Sequence, residues 1–293
     1  MSIDFSLVVA TFGRVKEVED FLKSISLLKY DLNRIEVIIV DQNSKENIDL
    51  SKIVEKFTTF KIKHIVSHKK GSSYNRNLGL KNATGKYVAF PDDDCEYYPY
   101  TLEKVLKTFE NSKGNFIIGR IIDKERNNVI RDWPMKELIV TQKNFYDKYS
   151  AITIFFEKDF IKQLTFDEDL GPGSYYGACE DTDVVYRALE LNQGFYNPEI
   201  EVYHPETTTQ YMDEKKVKSY ALGFGAFVNK NKDFCLIFLF IKVILYHILC
   251  FMKNFITHNK LEARKRKVAI KYRIIGFLNY SKAKNLKSYN GRS

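Results

Sequence analysis

Three consecutive carboxylates, Asp92, Asp93 and Asp94, follow the apolar run and proline of "KYVAFPDDD". Asp is mostly exposed in folded proteins, and neighbouring carboxylates repel one another. At the end of an apolar run they form either a solvated turn or a seat for a hard divalent cation. Mg²⁺ and Mn²⁺ prefer oxygen ligands and share them with substrate phosphates. A second acidic set, Glu180, Asp181 and Asp183 in "GACEDTDVV", opens a helical stretch. Acids there favour the helix dipole and bond free N–H groups, and Asp183 is read as that alone. Glu180 or Asp181 is a candidate general base, which needs only hydrogen-bond reach of a hydroxyl. His204 is either a capped strand end or a further ligand for a cation held by aspartates. Arg76 and Asn77 in "GSSYNRNLG" lie on an exposed helix face or point at a diphosphate; the stretch lacks the G-K-[ST] of a P-loop.

The elements that must position these groups alternate. "FSLVVATF" reads as a strand, and Val15, Val18, Phe21, Leu22 and Ile25 follow with helical spacing. "RIEVIIVD" is a second strand, Leu50–Phe57 a helix, "KIKHIV" a strand, "SSYNRNLGLKNA" a helix and "KYVAF" a strand. Such alternation predicts right-handed crossovers and a mostly parallel sheet flanked by helices. Ligands of open sheets sit outside the carboxyl ends of the strands. Three of those ends here carry Thr11–Arg14, Asp41–Gln42 and Asp92–Asp94. Beyond Pro99 come a helix over Leu102–Phe109, strands in "NFIIGRIID" and "AITIFF", a Gly-rich loop, the acid-opened helix, and a last strand ending at His204.

In order, "SLVVATFGR", "EVIIVDQNS", "GSSYNRNLGLKNATGKYVAFPDDD" and "GACEDTDVVYRAL" resemble family 2 glycosyltransferases of the bacterial surface-polysaccharide type, across about residues 5–205. The resemblance implies the GT-A fold and an inverting transfer from a nucleoside-diphosphate sugar, UDP preferred, to a hydroxyl of a glycan or polyprenyl-linked glycan. It places Thr11, Phe12 and Arg14 by the nucleotide base, and Asp41 and Gln42 by base and ribose. Gln42 stands where the family commonly has a second Asp. Arg76 falls near the donor, Asp92 or Asp93 toward ribose and phosphate, and Asp94 on a bound Mn²⁺ or Mg²⁺. His204 matches a metal ligand of some members, and Asp181 the catalytic base, with Glu180 beside it.

The net charge of +9 is unevenly spread. Residues 253–293 hold twelve Lys/Arg and one acid, Glu262, leaving the rest of the chain at −2. Ahead of them, "FCLIFLFIKVILYHILCFM" is apolar but interrupted by Lys242 and His247. A spanning helix needs ~20 mostly apolar residues, and a central Lys costs about 2.5–3.5 kcal/mol on insertion scales. The better fit is an in-plane helix followed by cations facing anionic headgroups, with nucleic acid ranked below the membrane. The four cysteines form no C-x-x-C pair, and no secretory signal opens the chain, which suggests a reducing cytosol. The expected organisation is a catalytic domain over 1–228, split into a nucleotide-sugar half (1–98) and an acceptor half (99–228). Residues 229–293 follow as a membrane-association segment, peripheral on the cytoplasmic face. Cutting the chain before Asp233 is expected to leave 1–228 folded. Two rivals remain: a sugar nucleotidyltransferase, for which "VVATFGRVKEV" has too few glycines, and a donor-binding membrane scaffold without catalysis.

Overall fold

The computed structural model describes residues 2–44, 48–205 and 212–290, with side chains described as far as residue 280. The tail cations Lys282, Lys284, Lys287 and Arg292 fall outside those side chains. Contacts divide the chain into two units, residues 1–166 with 184–207 and residues 167–183 with 208–293.

The first unit carries the sheet. Its elements are β1 (Phe5–Thr11), α1 (Lys16–Ser26), β2 (Ile35–Asp41), α2 (Ser51–Val54), β3 (Lys61–Val66), α3 (Ser72–Asn82), β4 (Tyr87–Ala89), β5 (Glu96–Tyr97), α4 (Thr101–Asn111), β6 (Phe116–Ile122), β7 (Leu138–Val140), β8 (Ile154–Glu157) and α5 (Lys158–Ile161). Helix α6 (Glu180–Leu191) runs across the unit boundary and leads into β9 (Gly194–Tyr203). In α1, Val18, Phe21, Leu22 and Ile25 are buried, the stripe that their spacing predicts. Val15 lies outside it as the exposed residue before the helix.

Among the described residues the strand order is β3-β2-β1-β4-β8-β6-β9-β5, with β7 on β9. The strands β3, β2, β1 and β4 are mutually parallel, as alternating elements require. β1 and β2 are buried along nearly their whole length, which explains their unbroken apolar runs. Beyond β4 the sheet is mixed: β8 is antiparallel to both neighbours, β6 and β9 are parallel, and β5 and β7 are antiparallel to β9.

Register then builds the rim. Thr11 pairs with Asp41 across β1 and β2, and Leu7 pairs with Ala89 across β1 and β4. Four residues beyond Leu7 is Thr11, and four beyond Ala89 is Asp93. On the far side Glu96 pairs with Tyr203, so antiparallel continuation brings His204 back toward Asp94.

The second unit contains residues 167–183, α7 (Glu214–Lys230), α8 (Phe234–Ile256) and α9 (Lys260–Asn290). Helices α7 and α9 touch through their backbones. A Cβ on Gly225 would lie 2.0 Å from the Arg273 carbonyl oxygen, and one on Gly276 2.1 Å from that of Leu222, so both positions need glycine. Leu170, Tyr176, Leu222, Ala226 and Tyr280 form the core beside this crossing. At 23 residues α8 is long and apolar enough to cross a membrane by length and composition. Phe238, Leu245, Leu249 and Met252 leave it largely exposed. Helix α9 therefore packs with α7 and, through Tyr280, with Leu170 and Tyr176 of the segment before α6.

Candidate active site

The site begins where β1 ends. The Thr11 hydroxyl donates to Asp93 Oδ2 at 2.7 Å, the contact that the register requires. Gly13, at φ +75°, turns the chain so that Arg14 returns to the aspartates. Arg14 Nη1 lies 3.1 Å from Asp93 Oδ1 and donates to Asp94 Oδ2. Phe12, by contrast, is exposed, with Lys70 Nζ 4.7 Å above its ring.

At the end of β2, Asp41 is buried. Its Oδ1 accepts from the Asn43 backbone N–H and side-chain amide, both at 2.8 Å, and its Oδ2 lies 3.0 Å from His64 Nε2. Gln42 ties two segments together: its Oε1 accepts from Gly71 N–H at 2.9 Å, and its Nε2 donates to the Thr11 carbonyl at 3.3 Å. A carboxylate in its place could not donate, which gives a physical reason for Gln over Asp at this position. Asn43 and His64 escaped the sequence reading; for Asn43 the Asx-turn spacing of "DQN" was the available signal.

Arg76, buried on α3, donates to Asp92 Oδ1 at 2.8 Å. Asn77 does not face the rim. Its amide forms a reciprocal pair with the Phe166 backbone, at 2.8 Å to the carbonyl and 2.7 Å from the N–H, so it fastens α3 to the chain after α5.

Asp92, Asp94 and His204 each offer a ligand atom within 4.8 Å of the other two. His204 Nε2 lies 3.5 Å from Asp94 Oδ1, while its Nδ1 lies 2.7 Å from the Pro205 carbonyl. That second contact fixes the ring and leaves Nε2 facing the acids, the arrangement typical of a metal-ligating histidine. Two carboxylates and one imidazole at this spacing fit a divalent cation such as Mn²⁺ or Mg²⁺.

The three aspartates are not equivalent. Burial pushes the Asp93 carboxyl up to about 6, against the pull of Thr11 and Arg14. Burial also acts on Asp94, but hydrogen bonds and charge from His204 and Arg14 overcome it and hold the carboxyl well below the usual range. Asp94 is thus a carboxylate at any physiological pH. Asp93 is tied to the end of β1 by Thr11 and to Arg14.

Glu180 and Asp181 open α6 in the second unit; Glu180 is buried and Asp181 partly exposed. Asp181 Oδ1 accepts from Thr182 N–H at 2.7 Å. Cys179 immediately before them has φ +71°, uncommon for a residue with a side chain. Asp183 is more than a dipole cap. It is fully buried, with Lys230 Nζ at 2.7 Å and Asn231 Nδ2 at 2.7 Å, and Lys230 also reaches Asp167 Oδ2 at 2.8 Å. Burial alone would raise Asp167; Lys230 and the Tyr280 hydroxyl, 2.5 Å away, bring it down to about 2. The start of α6 is therefore pinned by a buried ion network to the end of α7 and, through Asp167, to α9.

A parallel nucleotide-binding-like half, a mixed second half and an acidic turn at the rim define a GT-A architecture. The structure superposes on TarS of S. aureus (residues 1–349, in complex with UDP-GlcNAc) with a TM-score of 0.61 at 16% identity, covering 96% of this chain and 92% of that one. It also resembles a mannosyltransferase of Pyrobaculum calidifontis, in complex with GDP-Man and Mn²⁺, with a TM-score of 0.59 at 15% identity and coverage of 79% and 64%. The model of glycosyl transferase family 2 matches residues 6–169, more than half of the sequence, and the chain belongs to that family. A GalNAc(5)-diNAcBac-PP-undecaprenol beta-1,3-glucosyltransferase of Campylobacter jejuni is 27% identical over 174 residues, 56% of this chain and 55% of the relative. Other curated relatives are matched over as little as 16% of their length.

Proposed function

We propose that the protein is an inverting, metal-dependent glycosyltransferase. It moves a sugar from a nucleoside diphosphate, UDP first of all, to a hydroxyl of a glycan or polyprenyl-linked glycan in surface-polysaccharide synthesis. The observation that carries this reading is the cluster of Asp92, Asp94 and His204 at the carboxyl rim, braced by Thr11, Arg14 and Arg76. The UDP-GlcNAc complex of TarS favours UDP, and the name of the Campylobacter relative favours a lipid-linked acceptor.

Asp94, Asp92 and His204 would hold Mn²⁺ or Mg²⁺, which supplies Lewis-acid stabilisation to the departing diphosphate. Exposed Phe12 is available to stack on the base, while Asp41 and Gln42 shape the floor below base and ribose. Arg14 and Arg76 are cations for the donor's phosphates, and each is shared with the acids that it now pairs. Asp181 is the base, with Glu180 as its neighbour. The acceptor oxygen bonds to the anomeric carbon from the face opposite the diphosphate. The carbon–oxygen bond to the diphosphate breaks with its electron pair, and the acceptor proton passes to Asp181. One displacement inverts configuration, and no enzyme nucleophile is needed.

The α8–α9 hairpin supports peripheral attachment to the cytoplasmic membrane face, with the apolar helix in the interface and the cations toward anionic lipid. Transfer from candidate sugar nucleotides, followed as diphosphate release with and without Mn²⁺, tests the reading. Asp94→Ala and chelation should each abolish transfer, and full activity in chelator would overturn the metal assignment.

A further inference from the structure

Within the second unit, α7, the later half of α8 and the first half of α9 line an open cavity of about 560 Å³. Its α9 wall is one helical stripe of Glu262, the adjacent pair Lys265 and Arg266, Ala269 and Arg273, with three or four residues between successive turns. Buried Ala269 keeps the middle of this stripe low. Tyr220 of α7 and Tyr246 of α8 line the other walls. Three cations face one carboxylate, and that carboxylate is already engaged: Lys265 Nζ lies 2.9 Å from Glu262.

Arg266 is held by Tyr246, whose ring centroid lies 5.9 Å from its guanidinium carbon, but its other contacts are incomplete. Its Nε is buried without a hydrogen-bond acceptor. Nη1 lies 3.5 Å from His247 Nδ1 and Nη2 3.9 Å from Glu262, both at the limit of useful contact. A planar fork whose Nε lacks an acceptor, and whose Nη contacts to His247 and Glu262 are long, suits the paired oxygens of a phosphate when it lines a positive cavity. The apolar face of α8 explains how such a group would arrive. Leu245, Leu249 and Met252 are exposed on the helix that supplies Tyr246.

We propose that this cavity is a binding site for the phosphate headgroup of a membrane lipid, with Arg266 and Lys265 as its anion-binding groups. The proposal rests on the membrane reading of the hairpin, and goes beyond it by replacing diffuse attraction with one built site.

The test uses the full chain with phosphatidylcholine vesicles, with and without phosphatidylglycerol. Two substitutions conserve charge: Arg266→Lys removes the fork, and Ala269→Leu fills the floor. Each should weaken binding to the anionic vesicles about tenfold, the scale of losing a hydrogen bond to a charged group. Helix content and melting temperature, measured alongside, show that the fold is retained. Lys267→Gln and Lys271→Gln, at exposed positions outside the cavity, should each cost about fivefold by surface electrostatics alone. If both charge-conserving variants bind as wild type does, the site is refuted and the membrane reading stands. If wild type binds no vesicle, the membrane reading itself fails and takes the lipid site with it. Inorganic phosphate that stabilises wild type but not Arg266→Lys, without vesicle binding, would assign the cavity to free phosphate and overturn the lipid.

Discussion

Replacing Lys230 with alanine should unfold the second unit more readily than any single apolar truncation on the protein's surface. Lys230 is 14% exposed and is shared by Asp183, fully buried, and Asp167, 12% exposed. Without it two buried carboxylates lose the cation that they share, while Asn231 still donates to Asp183 and Tyr280 to Asp167. Removing one partner of a buried pair costs about 3–5 kcal/mol, because a charge stays behind uncompensated. Against a typical total of about 5–15 kcal/mol, that loss is a large fraction. The comparator is Asp167→Asn with Asp183→Asn and Lys230→Met, which removes all three charges together and should recover much of the loss. Urea unfolding, followed by hydrogen exchange in 214–230, reads the effect on the unit. Donor binding should survive, since the rim of β1, β2 and β4 uses none of these residues. Transfer should fall, because Asp183 lies two positions from Asp181 on the same helical turn. An unchanged urea midpoint for Lys230→Ala would refute the reasoning.

Further outcomes follow from the same geometry. Asp181→Asn should keep its melting temperature and donor affinity while losing ~10²–10⁴-fold in transfer, since Asn Oδ1 can accept from Thr182 N–H as Asp does but takes no proton; near wild-type transfer would move the role to Glu180. Cys179→Gly should match or exceed wild-type stability and Cys179→Val should fall below it, because at φ +71° a side chain costs ~1–2 kcal/mol and a branched one more, as thermal melts would show. The Asp167 carboxyl lies below its unfolded value, so its stabilisation is complete above about pH 4 and is lost as pH falls toward about 2; Asp167→Asn should flatten that part of an acid-unfolding curve. Truncation before Asp233, which the sequence suggested would leave 1–228 folded, strips α9 from α7; residues 167–183 and 214–230 should lose protection in hydrogen exchange.

The half of the fold before Asp94 was legible because β1 and β2 are seven-residue apolar runs and the segments around them alternate between strand and helix. Their parallel pairing places Thr11, Asp41 and Asp93 at one rim without further information. The second half resisted for a physical reason. β5 has two residues and β7 three, too short for any periodicity, and β5 is the strand whose pairing sets His204 beside Asp94. Asp183 read as a dipole cap because local sequence shows only its place in the first turn; Lys230 lies 47 positions away. Asn77 read as an exposed or diphosphate-facing residue because its partner, the Phe166 backbone, lies 89 positions away.

The bond between Tyr280 and Asp167 spans 113 residues of chain. During synthesis at ~5–20 residues per second, the segment ahead of α6 therefore waits on the order of ten seconds for the helix that completes its core. The sheet strands through β8 precede it from the ribosome and need none of it. A nascent chain would thus own the β1, β2 and β4 ends of the rim well before the acid at the start of α6 is held in place. Sugar transfer would be among the last properties that the polypeptide acquires.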